Sequence, residues 1–279
     1  MLETLVIMPT YNERDNVTPM VDRILAASPH TDVLIVDDNS PDGTGQVADD
    51  LAAAHSEVHV LHRTEKAGLG GAYLAGFEWG IEEGYWALVE MDADGSHHPE
   101  DLPRMIELLA DHDLVLGSRW VPGGSVENWP LRRKMLSLGG SAYTRAALGI
   151  EVRDTTGGYR VFSADALRRL ELSGVASHGY CFQVDLLWRA LEHGLRVVET
   201  PITFTERTIG VSKMSGSIVV ESLLRVTAWG IRRRARVLAG LFTPERRLPS
   251  VRATYHRALP NTGIGLDTVA VRPTRPPAV

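Results

Sequence analysis

Asp92 and Asp94 stand one residue apart in the stretch LVEMDADGSHHPE, residues 88–100, directly after an apolar run. Two carboxylates at the mouth of a packed element repel each other, so their closeness needs a reason. A loop that turns both toward one point offers oxygen ligands to a divalent cation, with a bound diphosphate completing the set. Such an ion offsets charge that grows on a leaving diphosphate. The plain alternative is an acidic turn in water, with Glu100 and Asp101 favouring the start of the next helix. Asp37 and Asp38 form a second acidic pair after another apolar run. Neighbouring strand ends converge in a parallel sheet, which brings the two pairs together. Asp37 or Asp38 suits a nucleotide base or ribose; the DNSPDG stretch over residues 38–43 equally suits a tight turn. The two readings are compatible.

Lys66-Ala67-Gly68-Leu69-Gly70-Gly71 has the spacing of neither a Walker loop nor a dinucleotide fingerprint. It permits close backbone approach at a helix N-terminus, or simply helix–sheet contact. His97 and His98 have no cysteine or histidine partner at zinc spacing, so both are expected to cap or pack their loop.

These residues need a scaffold, and the apolar pattern supplies one. Leu5–Met8, Val33–Val36, Val58–Leu61, Trp86–Met91 and Leu114–Leu116 read as buried strands. Helical spacing appears over Asn16–Ala27, Thr44–His55, Gly70–Ile81 and Pro99–Ala110. This alternation predicts an α/β fold, a Rossmann-like, mostly parallel sheet covered by helices on both faces. Ligands of such sheets bind just beyond the carboxyl ends of the strands. Residues 121–160 carry Gly123-Gly124, the basic run Arg132-Arg133-Lys134 and a helix to about Leu148. Helices over Asp165–Leu170 and Phe182–His193 and a strand over Arg196–Val198 follow. The expected division is a catalytic domain over 1–238 and a basic, then Pro/Thr-rich, partly disordered tail over 239–279.

The 279 residues suffice for one large domain with a real core. A formal net charge of -6, with basic residues not interleaved among exposed aromatics, argues against a nucleic-acid partner. A lone cysteine, Cys181, excludes an intrachain disulfide framework and fits a reducing compartment. Residues 1–9 lack the basic start of a leader, and no apolar run reaches the length of a membrane span.

A series of motifs then runs in order along the chain. They are Met8-Pro9-Thr10-Tyr11-Asn12-Glu13, Val36 to Thr44, Lys66 to Gly70, Met91 to Glu100 and Gly117-Ser118-Arg119. Asp154 to Arg160, Gly179 to Gln183, Phe204 to Arg207 and Gly210 to Met214 complete the series. Over roughly residues 3 to 235 the chain resembles family 2 glycosyltransferases of the GT-A fold. More narrowly, it resembles the polyprenol (dolichyl) monophosphate mannose synthases of the soluble actinobacterial type. The resemblance implies that Pro9, Tyr11, Glu13 and Asp38 line the nucleotide pocket, with Lys66 nearby. It implies Mg²⁺ or Mn²⁺ on Asp92 and Asp94. Many relatives place a metal-binding glutamine where this chain has Ser96, a shorter and poorer ligand. Arg119 and one of Arg132 or Arg133 resemble the arginines that grip an acceptor phosphate; Arg207 and Lys213 resemble basic residues of a loop over the diphosphate.

The implied reaction is inverting transfer of mannose from GDP-mannose to a polyprenyl monophosphate. A phosphomonoester, with a second pKa of about 6, is already ionised and needs no strong protein base. The difficulty is repulsion between two anions, which arginine relieves by bidentate binding. Asp185 is a candidate to orient the sugar or a basic side chain, against the plain reading of a surface aspartate. Tyr159-Arg160 suits either the acceptor side or packing. The rivals are glucose transfer from UDP-glucose and a catalytically silent relative.

A lipid acceptor implies a membrane surface. Residues 216–238 offer an amphipathic helix with Ile218, Val219, Leu223, Val226, Trp229 and Val237 on one broad face. Arg225, Arg232, Arg233, Arg234 and Arg236 lie on or beside it, placed to meet anionic headgroups. The rival is a helix docked on the catalytic domain. The expected location is cytoplasmic, peripheral to the membrane. Some relatives carry or recruit membrane domains, so a separate anchor protein is a further expected partner.

Overall fold

Alternate residues of the first strand face opposite sides of a central sheet, and both sides are dry. The structure, a computed structural model, describes residues 4–66, 68–175, 180–207, 216–240 and 254–255. Strand β1 (Thr4–Thr10) sends Leu5 and Ile7 into one core layer and Val6 and Met8 into the other. The first layer is closed by α3 (Gly68–Glu82), α6 (Ala164–Arg169) and α7 (Tyr180–Glu192), through residues such as Tyr73, Phe77, Leu167 and Phe182. The second is closed by α1 (Arg14–Ala27), α2 (Thr44–Ala54) and α4 (Leu102–Leu109), with Val17, Met20, Ala48 and Met105.

The remaining strands of the sheet are β2 (Thr31–Asp37), β3 (Val58–His62), β4 (Ala87–Glu90), β5 (Leu114–Ser118), β7 (Arg160–Ser163), β8 (Val197–Pro201) and β10 (Thr254–Tyr255). Their order is β10-β8-β5-β7-β4-β1-β2-β3. Only β7 runs antiparallel, between β4 and β5. The expected mostly parallel sheet is therefore present, with two strands, β7 and β10, that the apolar pattern did not single out. β7 is four residues long and begins at Arg160, which pairs in register with Glu90. A two-stranded ribbon, β6 (Ser125–Glu127) with β9 (Thr203–Thr205), stands beside the sheet. The chain leaves β1 for β2 on one side and meets β4 on the other, so a crevice opens above β1 and β4.

Two long helices flank that crevice. The helix α5 (Leu131–Leu148) ends at Gly149, whose φ of 63° is the left-handed turn that glycine adopts without strain. The helix α8 (Gly216–Gly240) crosses it at Gly230, where a Cβ would sit 2.4 Å from the Ala147 carbonyl oxygen. Arg233 Nη1 donates to the carbonyls of Leu148 and Gly149, and Arg234 Nη2 donates to that of Ala146 at 3.0 Å. These are orphan carbonyls at the end of α5, which cations suit. Arg236 pairs with Glu192 of α7 at 2.8 Å. Three of the five arginines expected to face lipid thus hold α8 to its neighbours. On the same helix Val226 is buried and Trp229 packs against the core, whereas Leu223 and Val237 remain exposed. Side chains at 218 and 219 lie outside the described residues, as does most of the stretch beyond 240.

The seat of α3 on the sheet is equally close. A Cβ at Gly76 would come 2.4 Å from Ile7 Cγ2. Gly76→Val should lower unfolding free energy by about 1–3 kcal/mol, the usual cost of overpacking, as read by denaturant titration. An unchanged midpoint would show that α3 shifts off the sheet freely.

Candidate functional site

The acidic pair lies above the end of β4. Asp94 is buried, its Oδ1 accepting from the Ser96 backbone N–H at 3.0 Å and its Oδ2 paired with Arg207 at 2.7 Å. Asp92 Oδ1 accepts from the Tyr73 hydroxyl at 3.3 Å. Burial, then repulsion by Asp94, pushes the Asp92 carboxyl up to about 7, against the pull of Arg207. The Asp92 backbone N–H donates to His97 Nδ1 at 3.1 Å. Burial drives His97 down to about 4, so the ring is neutral with its proton on Nε2. His97 stacks on Tyr159 and meets Phe204 edge-on. It packs its loop, as expected, and it also faces the cavity.

The nucleotide-side residues cluster at the ends of β1, β2 and β3. Pro9 and Glu13 line the cavity, and Lys66 Nζ lies 3.7 Å over the Tyr11 ring. Asp38 pairs with Arg63 at 2.6 Å; burial raises its carboxyl despite that partner. Asp37 accepts from the Ser40 hydroxyl and the Ser40 N–H, as the expected turn at 38–43 requires, and neither Asp37 nor Asp38 lines the cavity that Pro9 and Glu13 line.

The cationic end is built on β5. Arg119 is buried, and Asp154 accepts from its backbone N–H, Nε and Nη2 at 2.9, 2.7 and 2.7 Å. Although burial opposes its charge, Arg119 and its donated N–H groups hold the Asp154 carboxyl below the ordinary range. Glu199 on β8 receives the N–H groups of Arg153 and Asp154 and the Ser118 hydroxyl. The guanidinium of Arg119 lies among the rings of Trp120, Trp129 and Phe204. Arg133 stacks over Trp129 and pairs with Glu206, while Arg132 points to solvent. Of the two, Arg133 is the one the structure brings to the cavity.

One cavity of about 290 Å³ joins these parts. It runs from Asp92, Asp94 and Arg207 past Arg119 and Arg133, then between α5 and α8 beside Leu136, Gly140, Tyr143, Leu223 and Val226. Asp185 is not part of its lining. Two residues along a helix is about 200°, so Gln183 faces the cavity and Asp185 faces away. Asp185 is buried and holds Arg189 at 2.8 Å, so it orients a basic side chain, one of the two roles expected of it, and is not a surface aspartate. Lys213 lies outside the described residues. Trp129, Ser137 and Gln183 line the cavity unflagged by charge or spacing. The Ser137 hydroxyl, one turn beyond Arg133, is buried without a hydrogen-bond partner.

The donor set admits a cation in one way. Among the described residues no three His, Cys, Asp or Glu side chains gather around one point. Asp92 and Asp94 therefore fit an ion that takes its other ligands from substrate and water, as small hard cations do. Ser96 contributes its N–H to Asp94, and its own hydroxyl is buried without a hydrogen-bond partner.

The raised Asp92 carboxyl has a stability cost. Its folded value, about 7, lies above the unfolded one, so the folded state holds the extra proton and stability falls as pH rises from about 4 to 7. Asp92→Asn should raise the melting temperature of the ligand-free protein at pH 8 by about 2–4 °C, and by less at pH 5. A lower melting temperature at pH 8 would mean that the carboxylate is stabilising there.

Comparison with known proteins agrees with this architecture. The family described as Glycosyl transferase family 2 matches residues 5–171. A polyprenol monophosphomannose synthase of Mycolicibacterium smegmatis is 57% identical over 233 residues, 83% of this chain and 88% of the relative. An undecaprenyl-phosphate mannosyltransferase of Micrococcus luteus is 55% identical over 233 residues, 84% of this chain and 96% of the relative. Among solved structures, a mannosyltransferase from Pyrobaculum calidifontis in complex with GDP-Man and Mn²⁺ superposes with a TM-score of 0.55 at 19% identity, covering 89% of this chain and 66% of that one. Glucosyl-3-phosphoglycerate synthase from Mycobacterium tuberculosis, with Mn²⁺, UDP and its product, gives 0.56 at 18%, covering 83% and 80%. At such identities these likenesses speak to the fold, a mixed α/β, Rossmann-like domain.

Proposed function

The chain belongs to glycosyl transferase family 2, and from that premise we propose that it transfers mannose from GDP-mannose to the phosphate of a polyprenyl monophosphate, on a GT-A fold. The observation that carries this reading is the continuity of the cavity. One end is acidic, as a metal-bound nucleotide diphosphate requires; the middle is cationic; the far end is an apolar groove between α5 and α8. A sugar or peptide acceptor needs no such groove, and a prenyl chain does.

Asp92 and Asp94 are the residues that would hold Mg²⁺ or Mn²⁺, and the ion would supply positive charge to the leaving diphosphate. Arg207, paired with Asp94 in the ligand-free chain, is placed to turn to the diphosphate instead. Arg133 exchanges Glu206 for the acceptor phosphate, with the Ser137 hydroxyl as a second donor. Arg119, bolted by Asp154, supplies fixed positive charge beside them. The two anions then approach with their repulsion screened by groups already in place. No protein base is needed, because the attacking oxygen is ionised.

Incubation in detergent with labelled GDP-mannose, a short polyprenyl phosphate and Mg²⁺ or Mn²⁺ should give a labelled mannolipid. EDTA and Asp94→Ala should each abolish it, and UDP-glucose should give no product. Glucolipid in place of mannolipid would change the donor. No lipid product from either, with nucleotide binding intact, would overturn the transferase reading.

The mouth of the groove is also the place for a membrane surface. Leu131, Met135 and Leu138 of α5 and Val220, Leu224 and Ile231 of α8 are exposed, with Arg132, Lys134 and Arg232 exposed near them. We infer that these two helix faces rest in an anionic leaflet at the cytoplasmic side and deliver the lipid to the groove. No helix among the described residues is long and apolar enough to cross a membrane. Combining Met135→Glu with Leu224→Glu should cut co-sedimentation with anionic vesicles by about tenfold and leave transfer in detergent nearly unchanged. Undiminished co-sedimentation would place the contact elsewhere, a separate anchor protein included.

A further inference from the structure

Four polar atoms beneath the acidic end have no hydrogen bond of ordinary geometry: both oxygens of Glu90, and Oε1 and Nε2 of Gln183. Gln183 is only 2% exposed, yet it lines the cavity. The amide leans on the Glu90 carboxyl without a bond of ordinary geometry, which leaves its Oε1 facing no donor; a buried amide left short of partners costs about 1–3 kcal/mol, which a ligand hydrogen bond relieves. Its place is fixed from behind, where Arg160 Nη1 donates to the Gln183 backbone carbonyl at 2.6 Å. In front lies Gly158, also on the cavity wall. A Cβ there would stand 3.8 Å from Gln183 Nε2 and 3.7 Å from His97 Cε1. Gln183, His97 and Gly158 thus form a small corner next to Asp92, whose N–H is bound by the same histidine.

The chemistry of the corner selects its ligand. Gln183 offers an amide oxygen and an amide N–H to the cavity, and none of Gln183, His97 and Gly158 is a lysine or arginine. A phosphate finds no fixed cation among these three residues, and an apolar prenyl group would leave the amide unsatisfied. A hydroxyl fits: it donates to Oε1 and accepts from an amide N–H. We propose that Gln183, in the corner it shares with His97 and Gly158, reads a hydroxyl of the donor sugar and so sets which sugar is transferred. This rests on the transferase reading above and adds the residue that discriminates among donors.

The test compares GDP-mannose with its singly deoxygenated analogues, by kcat/KM with a short polyprenyl phosphate and by calorimetric affinity relative to GDP. A site that hydrogen-bonds a hydroxyl rejects the analogue lacking it by about 100-fold or more. The wild-type chain should show such a loss for one analogue. Gln183→Met, close in volume but apolar, should lose a similar factor on GDP-mannose, show no added loss on that analogue, and keep its affinity for GDP. Gly158→Ala places a methyl group in the corner at ordinary contact distance and should weaken GDP-mannose but not GDP. If the penalty for each analogue is the same in Gln183→Met as in wild type, the assignment is overturned. It is equally overturned if Gly158→Ala weakens GDP and GDP-mannose alike. Mannose transfer by the wild-type chain is a separate readout: its absence sinks the transferase reading, while the relative affinities still decide the corner.

Discussion

A guanidinium sealed inside the sheet organises everything above it. Arg160 is fully buried at the start of the single antiparallel strand, opposite Glu90, with its Nε 3.8 Å from that carboxyl. Burial lowers its affinity for the proton, and Glu90 and Asp154 offset part of that loss. Burial pushes Glu90 up to about 8, against the pull of Arg160. Removing one partner of such a pair leaves an uncompensated charge, which costs about 3–5 kcal/mol. Arg160 also donates to the carbonyls of Gly157, Thr155 and Gln183. One side chain therefore joins the strand that carries Asp92, the loop that carries Asp154, and the helix that carries Gln183.

Above that anchor the charges are sorted by sign. The carboxylates gather over β4, where burial and then Asp94 raise Asp92; Arg119 stands over β5, fixed by Asp154, which Glu199 in turn holds. Each end is paired with a residue of opposite sign, Arg207 on Asp94 and Glu206 on Arg133. These are consecutive residues after β9, so the ribbon that positions one positions the other. Preorganised opposite charge is what a reaction between two anions requires.

Much of this was legible in the sequence because apolar runs and acidic turns are local signals. The five strands read from apolar runs and the helices between them emerged as expected, since all but the edge strand β3 are buried on both faces. β7 was not legible: its first residue is an arginine, and its burial is paid for by Glu90 on another strand. The three-residue strands of the ribbon are too short to show alternation. Asp185 drew attention by its charge, yet helical phase turns Gln183 to the cavity instead. The sequence leaves the basic face of α8 open between a lipid surface and a docked helix, because no local pattern reveals that carbonyls of α5 lie within reach of Arg233 and Arg234.

Those last contacts fall on backbone, not on side chains. A carbonyl oxygen is present whatever residue carries it. The outer face of α5 is therefore free to drift in sequence, across lineages or in a redesign, without loosening its hold on α8. The walls of the groove would keep their spacing while the surface they show to the outside changes.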